Sequence, residues 1–325
     1  MIPANGPAGA GGKLQHLPLP LFAVPMGVGG LGLAWREAGR SLGAPVAIGE
    51  ILLGLALLLW LVIAGLHLVR AFHHPGSLRA DLRHPIRSAF AGAIGIGLMI
   101  VAGGLVPHAP DLATAVWLIA VGFHLLVGIW TVRGLLMAPR EAATLVPPLL
   151  IPLVGNIVAP IFGVRLGFET LSWMLFGLGA LLWAMIQPLI LGRIISGPPL
   201  PERLLPTLGI LLAPPAVGTV ALAGLTGGYG PGPLAIFGLA VVVATILLSM
   251  TGHFARCAFA ISWWGWTFPA AAFSVAVSGV VAAHPGPALA PLAWLVLAIA
   301  SAIATFVSLR TLRAAAAGHL LQPEG

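Results

Sequence analysis

The side chains able to do chemistry in this 325-residue chain are few: ten histidines, one cysteine and eight acids. The histidines gather once, in "HLVRAFHHPGSLRADLRHP", which holds His67, His73, His74 and His84. A metal centre needs nitrogen, sulfur or oxygen ligands at characteristic spacings. This stretch fits no zinc pattern and contains no cysteine, so it reads as a solvated basic loop, and neither a metal nor another cofactor is expected. Cys257 stands alone and closes no intrachain disulfide. No believable Ser/His/Asp set occurs, and no G-x-x-x-x-G-K-[ST] loop offers a phosphate cradle. The chain is expected not to be an enzyme and not to run on ATP by itself. His124, and His67 of that stretch, are able to carry a proton, although hydrogen bonding between helices is the favoured reading of both.

The elements that hold these residues are set by composition. Hydrophobic residues make up 59% of the chain and charged residues 7%, with a mean hydropathy of +1.06. A soluble domain carries about 25% charged residues, so the expected fold is an all-α integral membrane protein. Breaking the chain at charged and turn-rich stretches gives ten spans of about bilayer length: 17–35, 46–69, 87–106, 112–135, 145–164, 169–192, 204–224, 233–254, 262–283 and 289–309. The expected division is a tail at 1–16, a transmembrane domain at 17–313 and a second tail at 314–325. The formal charge of +7 does not point to nucleic acid, because the arginines are scattered between spans. Alternate loops and the tails hold Lys13, Arg70, Arg79, Arg83, Arg87, Arg133, Arg140, Arg193, Arg203, Arg256, Arg310 and Arg313; the loops between them hold only Arg36, Arg40 and Arg165. The positive-inside rule then puts both termini in the cytoplasm.

Helix breakers alternate along the chain. Spans 1, 5, 7 and 9 carry internal proline and span 3 is rich in glycine, whereas the even spans are smoother. Proline removes a backbone hydrogen bond, and freed carbonyls inside a membrane are tolerated where protein or a watery cavity satisfies them. The odd helices are therefore expected to surround a central pathway and the even ones to face lipid. Pro25, Gly29, Gly95, Asn156, Pro160, Pro214 and Ala272 are the candidate pore-lining residues. No Asp, Glu, Lys or Arg falls mid-span, which argues against a carboxylate proton relay and against a cation channel ringed by acids. Anion preference would then come from backbone N–H groups of broken odd helices.

The densest stretch is "ISWWGWTFPAAAFSVAV". Pro269 is unable to donate to the carbonyl of Gly265, so a kink is expected there. Gly265, Phe268, Ala272 and Val275 fall on one helix face. A single ring on a narrow, weakly polar wall excludes water and ions; a phenylalanine packed between helices is the other reading. Trp263, Trp264 and Trp266 read as anchors at the membrane edge.

Four motifs resemble those of the tellurite-resistance/dicarboxylate transporter family, which includes TehA-type bacterial proteins, the fungal malate transporter and the plant guard-cell slow anion channel. "PLLIPLVGNIVAPIFG" is similar to its fifth helix and "SWWGWTFPAAAFSVA" to its ninth; "PLPLFAVPMGVGGLGLAW" and "LLPTLGILLAPPAVG" are similar to its first and seventh. The resemblance implies ten helices as five hairpins around a central pore, odd helices inside and even helices outside, in a homotrimer with one pore per protomer. It implies Phe268 as the pore gate, seated on the Gly265–Pro269 kink. It implies small anions as the transported species: chloride, nitrate, dicarboxylate or oxyanion. The expected protein is thus a gated anion channel of a bacterial-type inner membrane. The alternative is a proton-coupled secondary transporter of C4-dicarboxylates or tellurite-like oxyanions, using His124 or His67.

Overall fold

The computed structural model describes residues 14–138 and 141–322, and those residues are helical with no strand among them. Lys13 and Arg140, two of the cations used above for orientation, and most of the expected N-terminal tail lie outside the described residues.

In lipid a backbone finds hydrogen-bond partners only within its own segment, so apolar spans must be helices. Ten are present: α1 Leu19–Leu42, α2 Val46–His73, α3 Arg87–Leu105, α4 Pro110–Met137, α5 Pro147–Gly163, α6 Glu169–Ser196, α7 Glu202–Thr226, α8 Pro231–Ser249, α9 Ile261–Ala283 and α10 Leu289–Ala316. Among the described residues, nine of these are long and apolar enough to cross a membrane, and α5 is shorter. The expected C-terminal tail begins inside α10, which runs through Ala316.

Burial separates the two sets. In the most apolar stretches of α1, α3, α7 and α9, 61% to 83% of residues are buried, against 17% to 33% in the even helices. Nearly all of α5 is buried as well. The even helices turn Leu58, Phe72, Leu126 and Leu181 outward. So much exposed apolar surface suits hydrocarbon and not water; this is a multi-pass membrane protein. Each odd helix packs on the even helix that follows it, and the odd helices touch one another in closed order: α1 on α3, α3 on α5, α5 on α7, α7 on α9 and α9 back on α1.

The odd helices share a local feature absent from the even ones. Each opens with a 3₁₀ turn before becoming α-helical: Leu19–Phe22 in α1, Arg87–Phe90 in α3, Pro147–Leu149 in α5, Glu202–Leu212 in α7 and Ile261–Trp266 in α9. α5 returns to 3₁₀ geometry over Gly155–Val158. The prolines follow this switch. Pro25, Pro152, Pro160, Pro214, Pro215 and Pro269 all fall in the first turn of an α-helical stretch. There a missing N–H is tolerated and a fixed φ is preorganised. The break in α9 is thus a 3₁₀-to-α junction at Trp266–Thr267.

Two sequence expectations change here. The His-rich stretch is not a loop throughout: Pro75–Arg83 forms a short helix. Its Asp81 is buried against Arg70 Nη2 at 2.6 Å and Arg87 Nη1 at 2.9 Å. Trp264 is 1% exposed and donates from Nε1 to Thr311 Oγ1 of α10 at 2.9 Å, so it ties two helices together instead of anchoring at an interface. Four of the even helices also run past the expected ends, whereas α8, expected to reach residue 254, stops at Ser249. α2, α4, α6 and α10 are each 28 residues long, roughly 42 Å at 1.5 Å per residue. That exceeds the hydrocarbon thickness of about 30 Å, so Arg70, Arg133, Arg193, Arg310 and Arg313 lie within helix ends.

Candidate functional site

The candidate site is a pair of cavities inside the ring of odd helices, and α9 shapes the division between them. Its 3₁₀ turn carries Gly265 against the Ile210 side chain and the Thr207 backbone of α7. Buried Thr267 donates to the Trp264 carbonyl at 2.8 Å across the junction. Phe268 follows, 7% exposed, with its ring over Gly30 of α1.

The inner cavity, about 50 Å3, lies among the first halves of the odd helices. Gly265, Pro269 and Pro214 line it, and no polar or charged side chain among the described residues does. The outer cavity, about 360 Å3, lies among their second halves, where Ala272, Val275, Ile100 and Val220 form its walls. Three residues line both: Phe268, Val158 and Val217. Gly265, Phe268, Ala272 and Val275 therefore succeed one another along the α9 wall of the two spaces.

The mouth of the outer cavity is polar and mostly cationic. It holds Arg36, Arg40, Arg165, Glu37 and Tyr229. Arg36 is 6% exposed and pairs with Glu50 through two 2.7 Å hydrogen bonds from Nε and Nη2. It also donates to the carbonyls of Gly103 and Gly104 at 3.1 Å, joining α1, α2 and the end of α3. Arg40 approaches Glu37 at 3.4 Å. Arg165, between α5 and α6, has no carboxylate within ion-pair distance among the described residues. Partial enclosure, and then the neighbouring charge of Arg40, push its guanidinium below the usual value. Burial pushes the Tyr229 phenol up to about 12, aided by Glu37 and opposed by Arg165. Gly227, in the left-handed region with φ of 76°, ends α7 and starts the turn that lays the Tyr229 hydroxyl against Gly279.

The other sequence candidates lie away from both cavities. Gly29 faces Ile100 and Ala56, where α1 meets α3 and α2. Gly95 faces His124 and the Ala120 carbonyl, where α3 meets α4. Pro25 and Pro160 are buried in first turns without lining either space. Asn156 lines a separate groove between α4 and α6, its Nδ2 donating to the Leu153 carbonyl at 3.4 Å. His124 is fully buried and donates from Nδ1 to the Gly92 carbonyl at 3.1 Å, a bond between α4 and α3. His67 stacks on Phe22 with ring centroids 5.1 Å apart. No group of three or more His, Cys, Asp or Glu able to hold a metal occurs among the described residues.

Sequence reading missed Gly30, Val158 and Val217, whose types carry no signal. It also missed the cationic mouth, for which a signal existed. Arg36, Arg40 and Arg165 are the three cations of the sparsely charged loops, and they converge on one cavity.

Known proteins resemble this chain over most of its length. It is 26% identical over 274 residues to the S-type anion channel SLAH3 of Arabidopsis thaliana, covering 81% of this chain and 43% of that protein. It is 21% identical over 287 residues to the guard cell S-type anion channel SLAC1 of the same plant, covering 84% and 51%. It is 27% identical over 202 residues to the tellurite resistance protein TehA homolog of Haemophilus influenzae, covering 61% of each. The chain spans about half the length of the plant relatives it matches. These relatives are named as anion channels and a tellurite resistance protein, and none as an enzyme. Residues 16–312 match the family model SLAC1, described as voltage-dependent anion channel, and the chain belongs to this family of anion channels and transporters.

Proposed function

We propose that this protein is a gated anion channel of a bacterial-type inner membrane, with Phe268 as the plug of its pore. The reading rests above all on one observation: the Phe268 ring belongs to the walls of both cavities, so it stands between them. The five helical hairpins then surround a pathway that runs from the arginine-rich mouth, past the ring, into the apolar inner space. An apolar constriction blocks ions by excluding water, and the inner cavity offers no polar side chain to replace lost hydration.

The electrostatics support an anion as the cargo. Three arginines and one glutamate line the outer cavity, and no other charged side chain among the described residues does. With Glu50 engaged by Arg36 and Glu37 by Arg40, the positive charge of Arg165 is left over. Such a mouth concentrates small anions, chloride, nitrate, dicarboxylates or oxyanions among them. The family relationship supports the same substrate class. The excess of basic residues in alternate loops and helix ends supports cytoplasmic termini, and assembly as a homotrimer in the lipid bilayer is carried over from the resemblance. A proton-coupled transporter working through His124 or His67 gains no support from their positions, since neither lines the two cavities.

The test is Phe268→Ala in a planar bilayer. A larger anion current than wild type is expected, reversing near the chloride potential under a salt gradient. A current no larger than wild type overturns the gate assignment.

A further inference from the structure

Outside the ring, a groove of about 710 Å3 opens between α2 and α4. Trp60 stands on one wall and Trp130 on the other, and Phe22 and Ile94 form part of the floor. The short helix Pro75–Arg83 forms the roof. Leu78 and Leu82, four residues apart, line the groove from one side of that helix, and Arg79 and Arg83 line its rim. Asp81, the helix's one acid, is consumed in the buried pair with Arg70 and Arg87. Arg79 and Arg83 are exposed and have no carboxylate partner among the described residues.

Apart from His67, which stacks on Phe22, the groove is therefore lined mainly by apolar and aromatic side chains along its length and is cationic at one end. Its walls are lipid-facing helices, so its contents come from the bilayer. The cationic end lies where the long even helices carry their basic residues, at headgroup depth. Arginine matches a phosphate by paired, charge-assisted hydrogen bonds, and basic pockets between helices at this depth suit anionic headgroups. We propose that this groove is a binding site for an anionic phospholipid, an acyl chain lying between α2 and α4 and the phosphate held by Arg79 and Arg83. The site is independent of the channel reading, because it lies on the outer surface and shares no residue with either cavity.

The test uses purified protein in detergent, with dioleoyl phosphatidylglycerol and dioleoyl phosphatidylcholine as probes and bound lipid counted by native mass spectrometry. Wild type is expected to retain phosphatidylglycerol preferentially. Each arginine contributes roughly fivefold, the size of one basic side chain's attraction to an anionic surface. Arg79→Gln removes part of the preference; Arg79→Gln with Arg83→Gln abolishes it while leaving phosphatidylcholine retention unchanged. Ala64→Trp, which fills the groove, lowers retention of both lipids. Equal retention of the two lipids by wild type overturns the proposal, as does an unchanged preference in the double variant. So does equal competition by inorganic phosphate alone, which marks a soluble anion as the ligand. A changed oligomeric mass in Ala64→Trp also overturns it, because a second copy of the chain then occupies the groove.

Discussion

The Phe268 ring lies over the bare Cα of Gly30: a Cβ at position 30 would stand 2.9 Å from the ring's Cδ2. Carbon atoms in good contact sit about 3.5–4.0 Å apart, so even one methyl group on α1 displaces the ring. Gly30→Ala is expected to displace the Phe268 ring from its resting position and to raise the resting anion current. The rise should be smaller than in Phe268→Ala, and Gly30→Ala should add nothing once the ring is gone. Single-channel recording of the two variants and their combination checks this. A Gly30→Ala current equal to wild type means that the ring yields without opening a path.

Among the described residues Arg165 has no carboxylate at ion-pair distance, unlike Arg36 and Arg40. Its contribution at the mouth should be long-ranged and sensitive to screening. The Debye length is about 30 Å at 0.01 M salt and about 3 Å at 1 M. Arg165→Gln in the Phe268→Ala background is expected to lower anion conductance at low salt and to match the parent at high salt. Arg165→Glu should lower it further. A loss independent of ionic strength would instead indicate a direct binding role or a structural one.

The chain has one tyrosine, so tyrosinate absorbance reports Tyr229 alone. Burial pushes this phenol up to about 12, against about 10 for an exposed one. The folded state thus holds its proton more tightly than the unfolded state. Stability on this account is intact below about pH 10 and declines as pH rises toward 12. The spectroscopic midpoint is expected near 12 in the folded protein and near 10 after denaturation. Arg165→Gln should move the folded midpoint higher still, because Arg165 is a cation that opposes the upward shift. A folded midpoint near 10 would mean that water reaches the phenol freely.

Much of this architecture is legible in the sequence. The alternation of broken and smooth spans marks which helices are buried, because proline and glycine recur where the odd helices change from 3₁₀ to α geometry. The register of Gly265, Phe268, Ala272 and Val275 is legible because a helix repeats its faces every three to four residues. Which glycine does what is not legible. Gly29 and Gly30 are neighbours, yet one packs on Ile100 and the other lies under Phe268; a rotation of about 100° between adjacent residues separates the two fates. Nor is the convergence of Arg36, Arg40 and Arg165, since it depends on how the ends of α1 and α5 meet in space. Trp264 was misleading for a related reason: its buried hydrogen bond to Thr311 joins positions far apart in the chain.

The short helix under Arg79 and Arg83 was also hidden, because a run of histidines and arginines looks solvated until its one acid is located. Asp81 is 4% exposed, and its two oxygens meet Arg70 and Arg87 on separate sides. Arg70 is itself 2% exposed. Asp81→Asn keeps the shape and deletes the charge, leaving a buried guanidinium without a counter-ion. Breaking a buried pair in this way costs about 3–5 kcal/mol. Part of that cost falls on the docking of Pro75–Arg83, so hydrogen exchange of its backbone amides is expected to accelerate before global unfolding does. The thermal midpoint in detergent should fall, and added salt should rescue little, because buried charges are weakly screened. Conductance through the Phe268→Ala pore should stay at the parent level, since Asp81 lines neither cavity. Unchanged exchange in residues 75–83 would mean that Leu78 and Leu82, and not the ion pair, hold the helix in place.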